Sequence, residues 1–207
     1  MDQAEVWEGI ASDWKKSRQK PWREVIDFLA DKKGIILDIG CGSGRNFISG
    51  KEYFGIDLSG NMLRYAKQDA RQRKIKLVAA RASAASLPIK SDAFETVLFV
   101  AVLHTVQGKS KREKSLQELR RVMKKGSYAI ITVWNRKQPK FAEARKESYV
   151  SWKHEGKMYM RYYYLYDKPE LRRLLKAIGF KVERIFDSEI KAFNVFPKNI
   201  IAIVRKP

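Results

Sequence analysis

Seven apolar runs, at 34–38, 52–58, 76–81, 95–103, 128–134, 180–186 and 199–204, alternate with stretches of helical spacing, and nothing else narrows the fold so far. Several of them, such as TVLFVAVL at 96–103, are continuous rather than alternating, as in parallel strands covered on both faces. Ser59 is placed to cap a helix over 60–73, and 109–124 and 168–178 carry helical periodicity, with Gly126 and Gly179 where those helices should end. Such alternation predicts an α/β fold, a doubly wound, mostly parallel sheet of seven strands. No helix separates the last two runs, so they form an antiparallel pair and put a reversed strand near one edge. The segment at about 2–31 reads as helix, break and helix, with Pro21 in the first turn of the second. The chain is read as one domain over 1–207, with a helical cap at about 2–31 and an aromatic, basic insert at about 136–167.

The turn after the first strand, LDIGCGSGRNF at 37–47, sets Gly40, Gly42 and Gly44 where an open parallel sheet binds its ligand. Glycine allows positive φ and lets backbone approach a ligand that a Cβ would exclude. The spacing is neither the dinucleotide fingerprint nor a P-loop, so a nucleoside ligand without phosphates fits better. Asp57, about 20 residues after the turn begins, is placed to accept hydrogen bonds from both ribose hydroxyls. Asp38 either braces the loop or answers a ligand ammonium. For each carboxylate the plain alternative is an ordinary strand-end residue.

Charge narrows the partner. Forty-three Lys plus Arg against 23 Asp plus Glu leave a net +20, a field that favours nucleic acid first and an anionic membrane second. A solubility surface is the plain alternative. Three stretches interleave cations with rings, as unstacked bases and phosphates require: KKSRQKPW at 15–22, VWNRKQ at 133–138 and YVSWKHEGKMYMRYYYLY at 149–166. Trp22 and Trp134 can equally be core anchors, and the tyrosines can form a two-faced strand. His104 ends the fourth strand, where an acceptor group approaches, or simply packs there. The single cysteine, Cys41, excludes an internal disulfide and a cysteine-cluster zinc site in this chain, and no metal ligand set is assigned. The acidic, mixed N-terminus is unlike a secretory signal and no run approaches a bilayer span, so a cytoplasmic location with no membrane partner is expected.

LDIGCGSG, GIDLS and SLPIKSDAFETVLFVAVLH, in that order over roughly 34–134, resemble the class I S-adenosylmethionine-dependent methyltransferases. The resemblance implies their Rossmann-like fold and S-adenosylmethionine as cofactor. Asp38, Gly40, Gly42 and Gly44 would then lie near its methionine end and Asp57 on the ribose, with Leu58 and Val100 in the same cofactor set. Many members receive the adenine amine on an acid after the third strand; here Ser83 stands there. Over nearly the whole chain, SRQKPW, VAVLH, VWNRKQ and RYYYLYDKPELRRLLKAIGF are similar to the tRNA wobble-uridine carboxymethyl methyltransferases. Those enzymes esterify the carboxylate of 5-carboxymethyluridine in the anticodon loop, commonly with a small zinc-binding activator protein. Under that resemblance Arg18 and Arg161 are candidates for the acceptor carboxylate or its flanking phosphate. His104 and Tyr162 line the reacting centre, Tyr162, Trp22 or Trp134 stacks on the base, and Lys20 and Arg136 assist. The alternatives are a methyltransferase of small metabolites and a non-catalytic RNA-binding subunit.

Overall fold

The computed structural model describes residues 2–141, 144–188 and 198–207. Three short helices, α1 (Gln3–Gly9), α2 (Ala11–Ser17) and α3 (Arg23–Leu29), precede β1 (Ile35–Ile39) and β2 (Glu52–Asp57). There follow α4 (Gly60–Gln72), β3 (Lys76–Arg81), β4 (Phe94–Val100), α5 (Lys109–Val122) and a long β5 (Met123–Trp134). A hairpin of β6 (Glu147–His154) and β7 (Lys157–Tyr164), then α6 (Lys168–Ala177), β8 (Lys181–Asp187) and β9 (Asn199–Arg205), complete the chain.

Seven strands form one sheet in the order β3-β2-β1-β4-β5-β9-β8. All pair in parallel except β9, which runs antiparallel to both β5 and β8. The expected sheet and its reversed strand are therefore present; most of the connection between β8 and β9 lies outside the described residues. Alternate residues of the central strands feed two cores. Leu37, Ile39, Val97 and Phe99 pack with α5 and α6, whereas Ile36, Leu98 and Val100 pack with α3 and α4. Burial on both faces is why these strands read as unbroken apolar runs.

Local signals fix the helix ends. The Ser59 hydroxyl accepts from the Met62 amide at 3.0 Å, and the Asp167 carboxylate accepts from the Glu170 amide at 2.8 Å, each satisfying a donor that the first helical turn leaves open. Gly179, at φ +94°, ends α6, its amide bonded to the Lys176 carbonyl. Gly126 behaves differently from the expectation. It lies inside β5 at φ +80°, where the pairing with β4 slips register, and its amide bonds the Lys206 carbonyl. The helix instead stops at Val122, because Met123 is already extended.

The insert folds as a separate two-stranded sheet. Its turn, Glu155–Gly156, has both residues at positive φ, +48° and +76°, the twist a tight two-residue hairpin needs. Since successive strand residues face opposite ways, β7 splits its rings. The Tyr162 hydroxyl is the acceptor for Arg112 of α5 at 2.8 Å, while Arg161 and Tyr163 turn to the other side and bond each other at 2.9 Å. Among the described residues no helix is long and apolar enough to cross a membrane.

Candidate active site

The β1–α4 region makes a cleft of about 250 Å³ at the carboxyl ends of the parallel strands. It gathers six of the residues expected to meet a cofactor: Gly40, Gly42, Asp57, Leu58, Ser83 and Val100. Gly40 sits at φ +72°, and a Cβ there would collide with Val102 of the β4 turn. Gly42, at φ +54°, faces open space, and its amide donates to Asp57 at 2.8 Å. Asp57 also accepts from the Ser59 amide at 2.9 Å, so backbone donors aim its carboxylate into the cleft. Burial raises its pKa, partly offset by the amides of Ser59, Gly42 and Leu58. The Ser83 hydroxyl accepts from the Ala85 amide at 3.2 Å and keeps its proton to donate.

Two expected cofactor residues lie elsewhere. Gly44 does not line the cleft; a Cβ there would stand 2.7 Å from the Phe47 ring, so its lack of a side chain serves packing. Asp38, two residues before Gly40, is buried and not part of the cleft lining, and neither carboxylate oxygen has a hydrogen-bond partner among the described residues. It does not brace the loop. Burial, reinforced by Asp57, pushes its pKa up to about 8. An orphaned acid beside a Cβ-free turn is what a nucleoside carrying a cationic amine would complete, so the residues fit an adenosyl sulfonium ligand.

A second chamber of about 710 Å³ opens beside the first. The two share Trp7, Trp14, Trp22, Arg45, Ala101 and Thr105, so a group in one can reach a group in the other. Ala101 adopts φ +60°, rare for a residue with a side chain, and its amide is held by both the carbonyl and the hydroxyl of Thr132. At the back Trp134 stacks on Tyr163, centroids 3.9 Å apart and planes within 2°, and His104 lies 5.6 Å from both rings. Burial drives the His104 pKa down to about 3, so the imidazole is neutral at physiological pH.

Arg161 is the charged centre of this chamber, only 5% exposed. Its guanidinium faces Trp152 at 4.7 Å, Tyr163 at 5.5 Å and Trp14 at 5.6 Å, and donates to the Tyr163 hydroxyl. Its Nε has no partner, and no carboxylate pairs with it among the described residues.

Of the acceptor candidates, the chamber brings together Arg18, Trp22, His104, Trp134 and Arg161. Tyr162 is not among them: the hairpin register turns it onto α5, and its neighbour Tyr163 takes the chamber wall. Lys20 extends outward and contributes only its carbonyl, which accepts from Arg45 Nε at 2.7 Å. Arg136 is exposed outside both cavities. Sequence reasoning passed over Trp7, Trp14, Trp152 and Arg45. Tryptophans spaced seven apart in a helical stretch were the available signal for the first two; Trp152 and Arg45 lie inside the 149–166 and 37–47 stretches, which were singled out without a role for either residue.

The cap is fastened at both ends. Glu8 of α1 accepts from the Ser59 hydroxyl at 2.6 Å and the Asn61 amide at 3.1 Å, while the Gln3 side-chain amide bonds β7 backbone at Met160 and Tyr162. Asp13 of α2 meets His154 of β6 at 2.8 Å.

The family described as a methyltransferase domain matches residues 37–131. A protein of Encephalitozoon cuniculi named as a methyltransferase is 29% identical over 195 residues, 90% of each chain. The tRNA (carboxymethyluridine(34)-5-O)-methyltransferase of Schizosaccharomyces pombe is 26% identical over 84% of this chain and 86% of its own. The Xenopus tropicalis protein of the same name is 31% identical over 62% of this chain, which spans only 20% of that longer relative. Among solved structures, the CcbJ methyltransferase of Streptomyces caelestis superposes with a TM-score of 0.79 at 15% identity, covering 100% of this chain and 99% of that one.

Proposed function

We propose that this class I S-adenosylmethionine-dependent methyltransferase transfers its methyl group to the carboxylate of 5-carboxymethyluridine in the anticodon loop of tRNA. The observation that carries the reading is Arg161, a buried guanidinium with no counter-carboxylate among the described residues, walled by rings in the chamber beside the cofactor cleft. Burying a lone cation is costly, and a planar anion arriving between aromatic faces removes that cost. The named relatives from fission yeast and Xenopus support the same acceptor.

S-adenosylmethionine, when bound, supplies an electrophilic methyl on a sulfonium. Asp57 and the Gly42 backbone orient the nucleoside end of the first cleft. A carboxylate acceptor is already ionised near neutral pH, its ordinary pKa being about 4, so no side chain has to take a proton. His104 agrees with this. An imidazole whose conjugate acid has a pKa of about 3 is a poor base, and here it forms a flat neutral wall. Arg161 holds one face of the carboxylate, and the ring wall of Trp134 and Tyr163 flanks the uracil and excludes water. Alignment rather than activation is what the chamber contributes.

The test is nucleoside mass spectrometry of carboxymethyluridine-containing tRNA after incubation with cofactor. Wild-type protein forms the methyl ester. Arg161→Ala forms it at least about 10- to 100-fold more slowly, the scale of one lost charge-assisted hydrogen-bonded contact, with cofactor affinity retained in calorimetry. Undiminished ester formation by the variant overturns the assignment. A small-metabolite methyltransferase would turn over its acceptor without sensitivity to salt and without tRNA affinity.

A further inference from the structure

Resting on that reading of the chamber, we propose that Arg18 and Arg45 form a second anion subsite at its mouth, separate from Arg161, that takes one phosphodiester of a polynucleotide acceptor. The two arginines are built differently from Arg161. Both are half-buried, and each lies over a tryptophan of the shared wall, Arg18 on Trp14 at 4.8 Å and Arg45 on Trp22 at 5.4 Å. Each gives one N–H to a nearby carbonyl, Arg18 to Ser17 and Arg45 to Lys20. Neither pairs with a carboxylate among the described residues, and the described residues of the chamber lining include no Asp or Glu.

Arg18, Arg45 and Arg161 line the same chamber, and the Arg18 charge opposes ionisation of both the others, after burial, which is the larger cause for each. Three guanidiniums in one chamber, with no acid among its described lining residues, repel one another, and bound anions relieve that repulsion. One planar carboxylate satisfies Arg161 at the back. Lys198, exposed on the same lining, adds a further cation. A tetrahedral phosphodiester presents oxygens to two guanidiniums at once, and flat anchoring on the tryptophans preorganises both. The chamber, at about 710 Å³, is large enough for a whole nucleotide. On this assignment the chamber discriminates polynucleotide from free nucleoside by its outer pair and carboxymethyluridine from uridine by its inner arginine.

The experiment compares Arg18→Gln and Arg45→Gln with wild type on three probes: a single-stranded heptanucleotide with central 5-carboxymethyluridine, the free nucleoside, and S-adenosylmethionine in calorimetry. Each variant should raise the heptanucleotide Kd about 10-fold or more and the nucleoside Kd less than about 3-fold; cofactor affinity should also move less than about 3-fold in Arg18→Gln, whose side chain lines the chamber and not the cofactor cleft. The slope of log K against log salt for a uridine-only heptanucleotide should also fall by about 0.7 for each contact removed. Equal losses for heptanucleotide and nucleoside, a loss confined to the cofactor, or no loss at all would each overturn the subsite. Should wild-type protein methylate no carboxymethyluridine probe, the acceptor assignment fails, and the salt slope with the uridine oligonucleotide still decides the subsite.

Discussion

At the scale of single residues, the buried acid under the glycine turn makes the sharpest statement. Asp38 titrates near 8 in the folded chain against 3.8 ordinarily, so between those values the native state holds a proton the unfolded chain has released. The Asp38 contribution to the stability of the ligand-free protein therefore falls as pH rises through that window; below pH 6.5 neutral His104 contributes the opposite slope, so the fall stands clear between 6.5 and about 8. Asp38→Asn should flatten this fall, which thermal melts from pH 5 to pH 8.5 would read, at about 2–4 °C per kcal/mol for a chain of this size. The cofactor amine, supplying the missing counter-charge, should raise the melting temperature of wild type at pH 8 more than that of the variant. An unchanged pH slope in Asp38→Asn would show that the acid is not the group responsible. Residues in local motifs were legible from sequence: Gly40, Gly42 and Asp57 share the cleft because a strand, a tight turn and the next strand dictate it. Tyr162 was not, because facing is set by register. A single step along β7 exchanges it for Tyr163, and no local signal says which parity meets the chamber.

At the scale of elements, α1 couples the two halves of the site. Glu8 bonds the residues that follow Asp57, and Gln3 in the same helix bonds β7. Burial alone would raise the Glu8 pKa, but the Ser59 hydroxyl, the Asn61 amide and Arg81 outweigh it and hold it below the usual value. That folded pKa is depressed, so the tether contributes fully above about pH 4.5 and is lost as pH falls through the lowered value. Glu8→Ala should leave the sheet folded while exposing Trp7 and Trp14, read as a red shift in tryptophan emission and faster amide exchange in α1 and α2. Exchange as slow as in wild type would mean the cap is held by its ring contacts alone. The strand and helix spans were readable because apolar runs and caps are local. The expected helix at 109–124 ran two residues into β5 because Gly126 serves a register slip instead of a helix end.

At the scale of the whole molecule, a net charge of +20 surrounds a chamber whose described lining residues include cations and no acids. Under the proposed function, tRNA affinity should fall steeply with salt, with a slope of about −0.7 to −0.9 per phosphate contacted, whereas cofactor affinity should hardly move. Titrations between 50 and 200 mM salt check this, and a flat tRNA curve would reduce the charge to a solubility surface. Topology brings an older lesson of polymer physics to bear on the same site. Its walls join residues 3 and 160, or 13 and 154, so closing them demands very long loops of chain, whose entropy is recovered only after the central sheet exists. Long-range closure of this kind predicts that the tryptophans of α1 and α2 seat after the sheet, so that an incompletely assembled chain would own a sound scaffold yet offer a reactive methyl donor no shelter from bulk water.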